Sequence, residues 1–356
     1  MTDLSQHLCE QVVAARAAGE PLYIRGADSK RLWHGHNCTA GVLDVADHKG
    51  IVDYQPGEMV LVARAGTPVA EIEHALAAQG QMLAFEPPLC AGRGTIGGTL
   101  ACNSSGPGRP WGGSIRDAVL GVQLISGKGH LLNFGGRVMK NVAGYDVARL
   151  QAGALGSLGI ISQISLKVMP QPETVATLAL EMDAKTALDT MLRRANEPKP
   201  LSAACWFDGC LYLRLSGAES AVSRTAAAWG GDCVAPEATP WEALREYRLA
   251  AFGDQSLWRV SLRSDAPLPE ARPPLLVDWG GALRWFSTDG EGTAAALTRY
   301  AASHGGYAGL FRPGVESTGM PDIPQLNPVQ QRLHLRLKQA FDPDRILNPG
   351  RLYSWL

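Results

Sequence analysis

The sequence lacks several features that would assign it at once to a class of protein. Its 33 basic and 34 acidic residues give a net charge of -1 without any Lys/Arg cluster, so a nucleic-acid partner is not expected. No run approaches the roughly 18 apolar residues of a membrane span. The N-terminal residues show neither the basic nor the apolar region of a signal peptide. We therefore expect a cytoplasmic protein.

Cysteine is also sparse, and its spacing excludes several kinds of site. The chain has 7 cysteines, an odd number, and Cys205 and Cys210 are the closest pair. No C-x-x-C motif is present to ligate zinc or an iron–sulfur cluster. Scattered cysteines of this kind are typical of a reducing compartment, where most of them act as small buried hydrophobic residues.

Glycine, in contrast, is concentrated in one stretch, Glu86–Pro107. Dense glycine weakens helices and strands, and it is typical of backbone that must reach positive φ or approach another group closely. Thr95 is a candidate N-cap for a short helix that continues through Cys102 and stops at Gly106-Pro107. Free amide groups at a helix N-terminus attract anions, most often phosphate, so this stretch predicts a phosphate-binding loop.

The spacing Gly92-x-Gly94-x-x-Gly97 matches the fingerprint of nicotinamide-dinucleotide folds, but its context does not. That fingerprint follows a buried apolar strand, whereas Glu86-Pro87-Pro88 cannot form a central strand. We reject this interpretation. A glycine-rich surface loop without a ligand is also disfavoured, because so many glycines flank a helix start.

A second candidate loop follows the short predicted strand Leu22–Ile24. Arg25-Gly26-Ala27-Asp28-Ser29-Lys30 is rich in small and turn-forming residues. Its amides and Ser29 could form the other half of an anion clamp. A tight turn without a ligand explains the same pattern equally well.

The remaining patterns predict an α+β protein with a boundary near Pro170-Gln171-Pro172. Apolar spacing predicts helices near residues 4–18, 68–79, 184–196, 220–229, 242–251, 293–303 and 329–341. Alternation and turn residues predict strands near residues 22–24, 41–45, 51–54, 59–63, 81–85, 160–168, 174–182, 257–262 and 275–279. They also predict two hairpins, one of strands 118–125 and 130–134 about Gly127–Gly129, and one over residues 204–215 with an Asp208-Gly209 turn. The second half therefore favours an antiparallel sheet with helices on one face.

Four patches, in order along the chain, resemble the flavoprotein superfamily of vanillyl-alcohol oxidase and p-cresol methylhydroxylase (the PCMH type). They are Arg25-Gly-Ala-Asp-Ser29, Thr95-Ile-Gly-Gly-Thr99 with Asn103-Ser-Ser-Gly106, Gly156-Ser-Leu-Gly-Ile-Ile161, and Phe341-Asp-Pro with Ile346-Leu-Asn-Pro-Gly350. The resemblance implies an FAD-binding domain of two α+β subdomains over residues 1–170. It further implies an α+β cap domain over 173–328, and a C-terminal helix and tail, 329–356, that return to the FAD domain.

The resemblance also assigns cofactor-binding residues. Arg25, Gly26, Ala27, Asp28 and Ser29 would bind the FAD pyrophosphate from one side, and Thr95, Gly97, Gly98 and Thr99 from the other. The adenine end would meet Gly159, Ile160 and Ile161, and the flavin would be lined by Asn103, Ser104, Ser105, Gly106, Ser114 and Asn348.

A two-sided clamp is needed on energetic grounds. A helix dipole contributes about 0.3–1 kcal/mol, or up to ~2 when partly buried. Micromolar binding requires about 8 kcal/mol. Several charge-assisted hydrogen bonds of about 1.5–3 kcal/mol each can close the gap.

Ser29 sets this chain apart from part of the superfamily. Members that attach FAD covalently through this loop carry His at the position of Ser29. The resemblance therefore implies a non-covalent, dissociable FAD.

Further motifs resemble the 2-hydroxy-acid dehydrogenase branch, and within it the small FAD-binding subunits of bacterial glycolate oxidases. They are Glu86-Pro-Pro88, Met139-Lys-Asn-Val-Ala-Gly-Tyr-Asp146, the Gly106–Gly112 loop and Val277-Asp-Trp-Gly-Gly-Ala-Leu-Arg-Trp285. Such subunits assemble with a larger FAD-dependent hydroxy-acid dehydrogenase subunit and an iron–sulfur subunit. The resemblance implies glycolate oxidation to glyoxylate by the complex, this chain relaying electrons from the larger subunit toward the iron–sulfur subunit. Membrane association would be peripheral, through the complex only.

Two other functions stay open at this point. The chain could be a structural subunit whose FAD only holds the fold, or a self-sufficient 2-hydroxy-acid dehydrogenase. Self-sufficient relatives use a metal site built on several His and acidic residues, and the nearest candidate here is His304 in a glycine turn. His34-Gly-His36 is short of a third ligand. We therefore predict no metal site, assign no catalytic residue, and interpret Arg284 and Arg312 as surface or interface residues.

Overall fold

The computed structural model describes residues 3–31, 33, 36, 38–136, 145–288, 292–314 and 326–356. His34 and most of the Met139–Asp146 motif lie outside these residues. The described helices are α1 Ser5–Ala18, α2 Val69–Ala77, α3 Ile96–Cys102, α4 Arg109–Gly112, α5 Ile115–Ala118, α6 Val147–Leu150, α7 Ala184–Ala195, α8 Glu219–Trp229, α9 Trp241–Arg245, α10 Thr293–Ser303 and α11 Pro328–Phe341.

The described strands pair into four sheets. They are β1 Leu22–Arg25, β2 Gly41–Asp44, β3 Ile51–Gln55, β4 Val60–Arg64, β5 Gln81–Met82, β6 Val119–Ile125, β7 Leu131–Gly135, β8 Ile160–Lys167, β9 Met169–Pro170, β10 Thr174–Glu181, β11 Leu201–Phe207, β12 Cys210–Gly217, β13 Asp232–Cys233, β14 Leu257–Ser261, β15 Leu276–Asp278, β16 Leu283–Ser287 and β17 Tyr307–Arg312.

The chain divides into two compact units, and the first is discontinuous in sequence. Unit 1 comprises Met1–Ser105, Ser114–Pro170 and Gln325–Leu356; unit 2 comprises Gly106–Gly113 and Gln171–Pro324. Gly106–Gly113, which the sequence analysis placed in the first domain, thus belong to unit 2. The physical reason is local, since the Trp279 indole donates a hydrogen bond of 3.1 Å to the Gly106 carbonyl and carries the Arg109 guanidinium 4.5 Å from its ring centre.

The larger sheet of unit 1 has five antiparallel strands in the order β3-β4-β8-β6-β7. The central strand β8 carries alternating apolar residues, and Ile161 and Ile164 pack with α2 and α3 in one core. The β6–β7 hairpin turns at Gly127–Gly129, as its glycines predict. This sheet forms one layer of the unit and supports α3.

A second layer of unit 1 is built from α1, β1, β2 and the tail. β1 pairs in parallel with β2, and Leu22 forms a parallel bridge with Leu347 on its other side. Leu8 and Val12 of α1 pack with Leu22, Leu43 and Leu347. The loop that leaves β1 is therefore held between two elements from opposite ends of the chain.

A buried polar network joins α1 to the larger sheet. His48 Nδ1 accepts the Leu4 N–H at 3.1 Å, and Nε2 lies 2.9 Å from Ser162 Oγ. Ser5 Oγ contacts the same Ser162 hydroxyl at 2.9 Å. Because Nδ1 is an acceptor here, the buried imidazole is neutral and donates through Nε2. Burial lowers the pKa of His48, in agreement with this arrangement.

Unit 2 contains an eight-stranded sheet in the order β13-β10-β12-β11-β15-β16-β14-β17, in which every pairing is antiparallel. Helix α7 buries Leu188 and Met191 in a core shared with Leu211 and Leu213 of β12. Helix α10 packs Leu297 and Ala301 in a second core. The predicted α+β class, with an antiparallel sheet in the second half and a tail that returns to the first unit, is confirmed.

Several elements differ from the prediction, and strands β16 and β17 were not predicted. The predicted helix near 242–251 ends at Arg245, because Tyr247 takes a positive φ of 54°. Helix α3 ends at Asn103 in the left-handed conformation, before Gly106-Pro107. The predicted strand 81–85 is only Gln81–Met82, paired with the two-residue β9. None of the described helices combines the length and apolar character that a membrane span needs.

Candidate functional site

A pocket in unit 1 opens where the β1 loop, α3, the loop before β8 and the tail meet. Its space, including the open solvent at its mouth, is about 760 Å³. It is lined by Tyr23, Ile24, Arg25, Gly26, Ala27, Asp28, Ser29, Lys30, Arg31, Val45, Ala65, Thr95, Gly97, Gly98, Ala101, Cys102, Leu155, Gly156, Gly159, Ile161, Asn348 and Arg351.

The β1 loop forms one wall of the pocket. Asp28 takes a positive φ of 54° and is fixed by hydrogen bonds from the Tyr23 hydroxyl at 2.6 Å and the Arg31 guanidinium at 3.4 Å. Burial, followed by the contact with Asp28, raises the pKa of Tyr23 to about 12. A Cβ on Gly26 would lie 3.0 Å from Thr95 Oγ1, so glycine allows this loop to approach α3 closely.

Helix α3 forms the facing wall, and its N-terminus is capped as predicted. Thr95 Oγ1 accepts the Gly98 N–H at 3.2 Å. A Cβ on Gly97 would lie 2.7 Å from the Ala65 Cβ, so this glycine serves the packing of α3 against its neighbour. A Cβ added to Gly98, which lines the pocket, would meet only the Thr95 hydroxyl within 4 Å, at 3.1 Å.

The tail closes the pocket through Asn348. Its Oδ1 accepts the Ile24 N–H at 2.7 Å, and its Nδ2 donates to the Leu155 carbonyl at 2.6 Å. Its backbone N–H donates to the Leu22 carbonyl at 2.8 Å. Asn348 therefore joins three segments of the pocket wall, and its amide positions the β1 loop.

Positive charge predominates in the pocket. Of the four cationic residues that line it, Arg25 pairs with Asp44 at 2.6 Å and Arg31 with Asp28. Arg351, 5% exposed, donates to the backbone carbonyls of His36 and Arg31. Lys30 is 6% exposed, and its Nζ has no hydrogen-bond partner among the described residues. Two cations thus lack a carboxylate partner in the described part of the chain.

Most of the predicted cofactor-binding residues come together at this pocket. Those that line it are Arg25, Gly26, Ala27, Asp28, Ser29, Thr95, Gly97, Gly98, Gly159, Ile161 and Asn348. Those that do not line it are Thr99, Asn103, Ser104, Ser105, Gly106, Ser114 and Ile160. Sequence reasoning did not assign Lys30, Cys102, Gly156 or Arg351, although the conspicuous Asn348-Pro-Gly-Arg351 run offered a signal for the last.

Several of the residues outside the pocket have structural contacts. The Thr99 hydroxyl donates to the Thr95 carbonyl at 3.0 Å, and Ser114 shares a capping box with Asp117. Ile160 is fully buried in the core around α1. Asn103 Oδ1 and Ser105 Oγ, in contrast, are buried without a hydrogen-bond partner among the described residues. A role for these two at a cofactor stays a prediction.

The other candidate polar residues engage local groups. His304 Nδ1 lies 2.9 Å from the Tyr300 carbonyl. Arg284 is fully buried and donates to the Pro267 and Ala266 carbonyls, so its interpretation as a surface or interface residue was wrong. Burial lowers its pKa to about 10. Arg312 donates to the Gly253 carbonyl. Within the described ranges, no three His, Cys, Asp or Glu residues form a group that could hold a metal ion.

Comparison with known proteins places this geometry in a family. Residues 5–135 match a family profile described as "FAD binding domain". Over 355 residues, the chain is 43% identical to the glycolate oxidase subunit GlcE of Escherichia coli (strain K12), covering 99% of both chains. The chain belongs to the GlcE family of FAD-binding proteins. The predicted family and its cofactor, FAD, are confirmed.

More distant relatives share the fold. The D-lactate dehydrogenase of Archaeoglobus fulgidus is 23% identical over 93% of this chain and 86% of its own. Glycolate oxidase subunit GlcD of Bacillus subtilis is 42% identical over 84 residues, 24% of this chain and 18% of its own. The solved structure of an alkyldihydroxyacetonephosphate synthase superposes with a TM-score of 0.64 at 16% identity, covering 97% of this chain and 75% of that one.

The pocket residues fit FAD on grounds of the structure itself. The Lys30 ammonium, buried and without a hydrogen-bond partner in the described part of the chain, suits the negatively charged diphosphate of a dinucleotide. Gly26 and Gly98 leave backbone accessible where a side chain would intrude. The β1 loop, α3 and the tail would hold the cofactor, with the Asn348 amide fixing their spacing.

Proposed function

We propose that this chain is the FAD-carrying electron-relay subunit of a glycolate oxidase complex. A larger flavoprotein subunit oxidises glycolate to glyoxylate, and this chain passes the electrons toward an iron–sulfur subunit. The observation that carries the proposal is the near-complete match, 99% of both chains at 43% identity, to a protein named as one subunit of a glycolate oxidase. The pocket, with two cations that lack a carboxylate partner among the described residues, supports it.

Bound FAD supplies a carrier that accepts and releases electrons; the protein supplies the binding site. Two histidines that could act as bases have other partners, since His48 is buried in its network with Ser162 and His304 contacts the Tyr300 carbonyl. Tyr23, on the pocket wall, has its pKa raised to about 12 and donates to Asp28, which holds the β1 loop in place. These contacts support relay over independent substrate oxidation.

An anaerobic titration separates relay from a self-sufficient dehydrogenase. The purified, FAD-loaded chain is mixed with glycolate, and the flavin absorbance near the visible maximum is followed. The relay proposal expects no bleaching from glycolate and full bleaching from dithionite. Bleaching by glycolate alone would assign substrate oxidation to this chain and overturn the proposal.

A second experiment, on a variant of the pocket wall, separates electron relay from a purely structural role for FAD. In Gly98→Val the added side chain meets the Thr95 hydroxyl, about 3.1 Å from the new Cβ, at the pocket wall. Gly57→Val, which meets nothing within 4 Å, is the matched control. The relay proposal predicts that the complex containing Gly98→Val assembles without this FAD. It also predicts that this complex no longer oxidises glycolate when an artificial acceptor downstream of the iron–sulfur subunit is used in the assay. Turnover at the control level in the assembled, flavin-free complex would contradict it.

The flavin is held without a covalent bond, because Ser29 replaces the histidine that attaches it in part of the superfamily. We expect acid precipitation of the holoprotein to release all of the FAD into the supernatant. The measurement is the supernatant absorbance against the total before precipitation. Flavin that remains in the protein pellet would show attachment elsewhere.

The chain itself stays in the cytoplasm and reaches the membrane only through the complex. We expect it in the cytosolic fraction when produced alone, and in the membrane fraction when the larger flavoprotein and iron–sulfur subunits are produced with it. Membrane recovery of the chain without those partners would argue against this arrangement.

A further inference from the structure

Two buried lysines in unit 1 have opposite environments. Lys338 is fully buried, and its Nζ reaches three oxygens: the Ser157 and Leu347 carbonyls at 2.8 and 2.7 Å and the Asp342 carboxylate at 2.8 Å. Lys30 is 6% exposed, yet its Nζ has no hydrogen-bond partner among the described residues. A buried ammonium without partners destabilises the fold by itself, so this position calls for an anion from outside the chain.

The carboxylate nearest in sequence does not meet that need. Asp28 accepts from the Tyr23 hydroxyl at 2.6 Å and from Arg31 at 3.4 Å. It is also the only acidic residue among those that line the described pocket. Lys30 lines the pocket, and no carboxylate among the described lining residues accepts a hydrogen bond from it, so an anion bound in the pocket would be its partner.

Arg351 and Cys102 line the same pocket as Lys30. Burial raises the pKa of the Cys102 thiol, and the charges of Lys30 and Arg351 oppose that rise. The Arg351 guanidinium donates two hydrogen bonds, both to backbone carbonyls. Because a carbonyl is neutral, these bonds do not neutralise the positive charge of Arg351. Two uncompensated positive charges match the doubly charged diphosphate of a dinucleotide in sign and number.

We propose that Lys30 is the countercharge for the FAD diphosphate, and that its burial makes the cofactor-free protein less stable than it would be with an apolar residue there. The proposal rests on this pocket as the FAD site, and it is independent of electron relay. Lys30 then has opposite effects on the two states of the protein. It strengthens diphosphate binding and weakens the empty fold.

The test compares the full-length chain with Lys30→Met, Lys30→Arg and the control Lys49→Met. Lys49 is half exposed, with a side-chain accessibility of 52%. FAD is removed, and Kd is measured by fluorescence for FAD and for riboflavin, which has no phosphate. Apoprotein melting is recorded in parallel.

For Lys30→Met we expect FAD affinity to fall about 10- to 100-fold, about 1.4–2.8 kcal/mol, as for one charge-assisted hydrogen bond. Riboflavin affinity should stay at the wild-type value, and the apoprotein should melt at a higher temperature. Lys30→Arg should recover most of the FAD affinity, and Lys49→Met should match the wild type in every measurement.

Two results would overturn the proposal. An equal loss of affinity for FAD and riboflavin would place Lys30 at the flavin ring. A lower apoprotein melting temperature with unchanged FAD affinity would give Lys30 a structural role. If Lys30→Met does not fold, Lys30→Gln is tested for the same selective loss of FAD affinity over riboflavin. A wild-type chain that binds no FAD would refute the site itself, whereas failure of relay leaves all these measurements unaffected.

Discussion

At the scale of single residues, the pocket wall requires glycine where a side chain would collide with a neighbouring group. Gly156 takes a positive φ of 73°, and a Cβ there would lie 2.6 Å from Asn348 Nδ2. That nitrogen donates to the Leu155 carbonyl, one of the contacts that fix the pocket wall. Gly80 has a similar φ of 63°, and a Cβ added there would meet nothing within 4 Å. A comparison of substitutions at the two glycines therefore separates the strain of a left-handed backbone from the displacement of the Asn348 side chain.

We expect Gly156→Ala to lower both stability and FAD affinity, because the methyl group displaces the Asn348 amide. Gly80→Ala should cost only the strain of a left-handed alanine, about 1–2 kcal/mol, and leave FAD affinity unchanged. Urea unfolding and flavin fluorescence titration measure the two effects. Equal FAD affinity in both variants would show that Asn348 does not position the pocket.

His48 is a buried residue whose protonation at low pH is expected to destabilise the fold. Its pKa is lowered by burial, while Asp3 opposes and Arg64 adds to that lowering. The unfolded chain, with a His pKa of about 6.5, takes up a proton before the folded one does. The stability that neutral His48 contributes is therefore complete above about pH 6.5 and is lost as the pH falls below it.

We expect the free energy of unfolding of the wild type to fall more steeply between about pH 6.5 and pH 5 than that of His48→Gln. Glutamine keeps a donor and an acceptor but does not titrate in this range. Urea unfolding at a series of pH values gives both slopes. Parallel slopes would mean that His48 is not the group responsible.

At the scale of elements, α11 and the tail form one anchored unit. Lys338 and Asp342 pair across one helical turn at 2.8 Å with both side chains fully buried, and Asp342 also accepts the Ile346 and Leu347 N–H groups. The carboxylate thus ends α11 and starts the extended segment that runs beside β1. Through this pair, a helix near the end of the chain fixes the register of Asn348.

Removal of one partner should be costly, since the other charge is left buried. We expect Lys338→Met to lose about 3–5 kcal/mol of stability. Lys185→Met removes an i,i+4 partner from an exposed pair, at 3.1 Å to Asp189, and should lose under about 0.5 kcal/mol. Urea midpoints of the two variants give the comparison. A loss below about 1 kcal/mol for Lys338→Met would refute the anchoring role.

At the scale of the whole molecule, unit 1, which holds the candidate pocket, extends well beyond the segment that the family profile covers. The profile ends at residue 135, whereas β8, the central strand of the larger sheet, spans Ile160–Lys167. Asn348 and Arg351, farther still along the chain, line the same pocket. The complete site requires segments from both ends of the sequence.

A chain that stops at Phe341 tests this requirement. It lacks Asp342, Leu347, Asn348 and Arg351, so we expect it to bind no FAD and to unfold at a lower urea concentration. Asn348→Ala in the full chain, which keeps the Leu22–Leu347 bridge, should give an intermediate FAD affinity. FAD binding by the shortened chain at the wild-type affinity would contradict the assembly described here.

Local patterns predicted local structure well. The apolar spacing of α1, the capping residue Thr95 and the turn glycines of the β6–β7 hairpin each act within a few residues, and the structure has them all. The four superfamily patches likewise predicted most of the pocket wall. Each patch is a short backbone shape that only certain residues adopt.

The contacts that assemble the site were not predictable in this way. The Lys338–Ser157 and Asn348–Leu155 hydrogen bonds join residues 181 and 193 positions apart. A lysine within an amphipathic helix and an asparagine in a tail have many solvated alternatives, and periodicity cannot distinguish them. The burial of Lys30, which lies in the predicted anion-binding loop, was likewise not evident from its neighbours in sequence.

The bridge between Leu22 and Leu347 also sets an order of events during synthesis. β1 leaves the ribosome early, but its partner on one side follows more than 300 residues later. At about 5–20 residues per second, that delay is on the order of 15–60 s. Throughout it that side of β1 has no partner, and all of unit 2 is synthesised before the tail of unit 1. Because Asn348 and Arg351 of the tail line the pocket, we expect flavin loading to follow synthesis of the tail, and a chaperone that shields β1 to raise the yield of holoprotein.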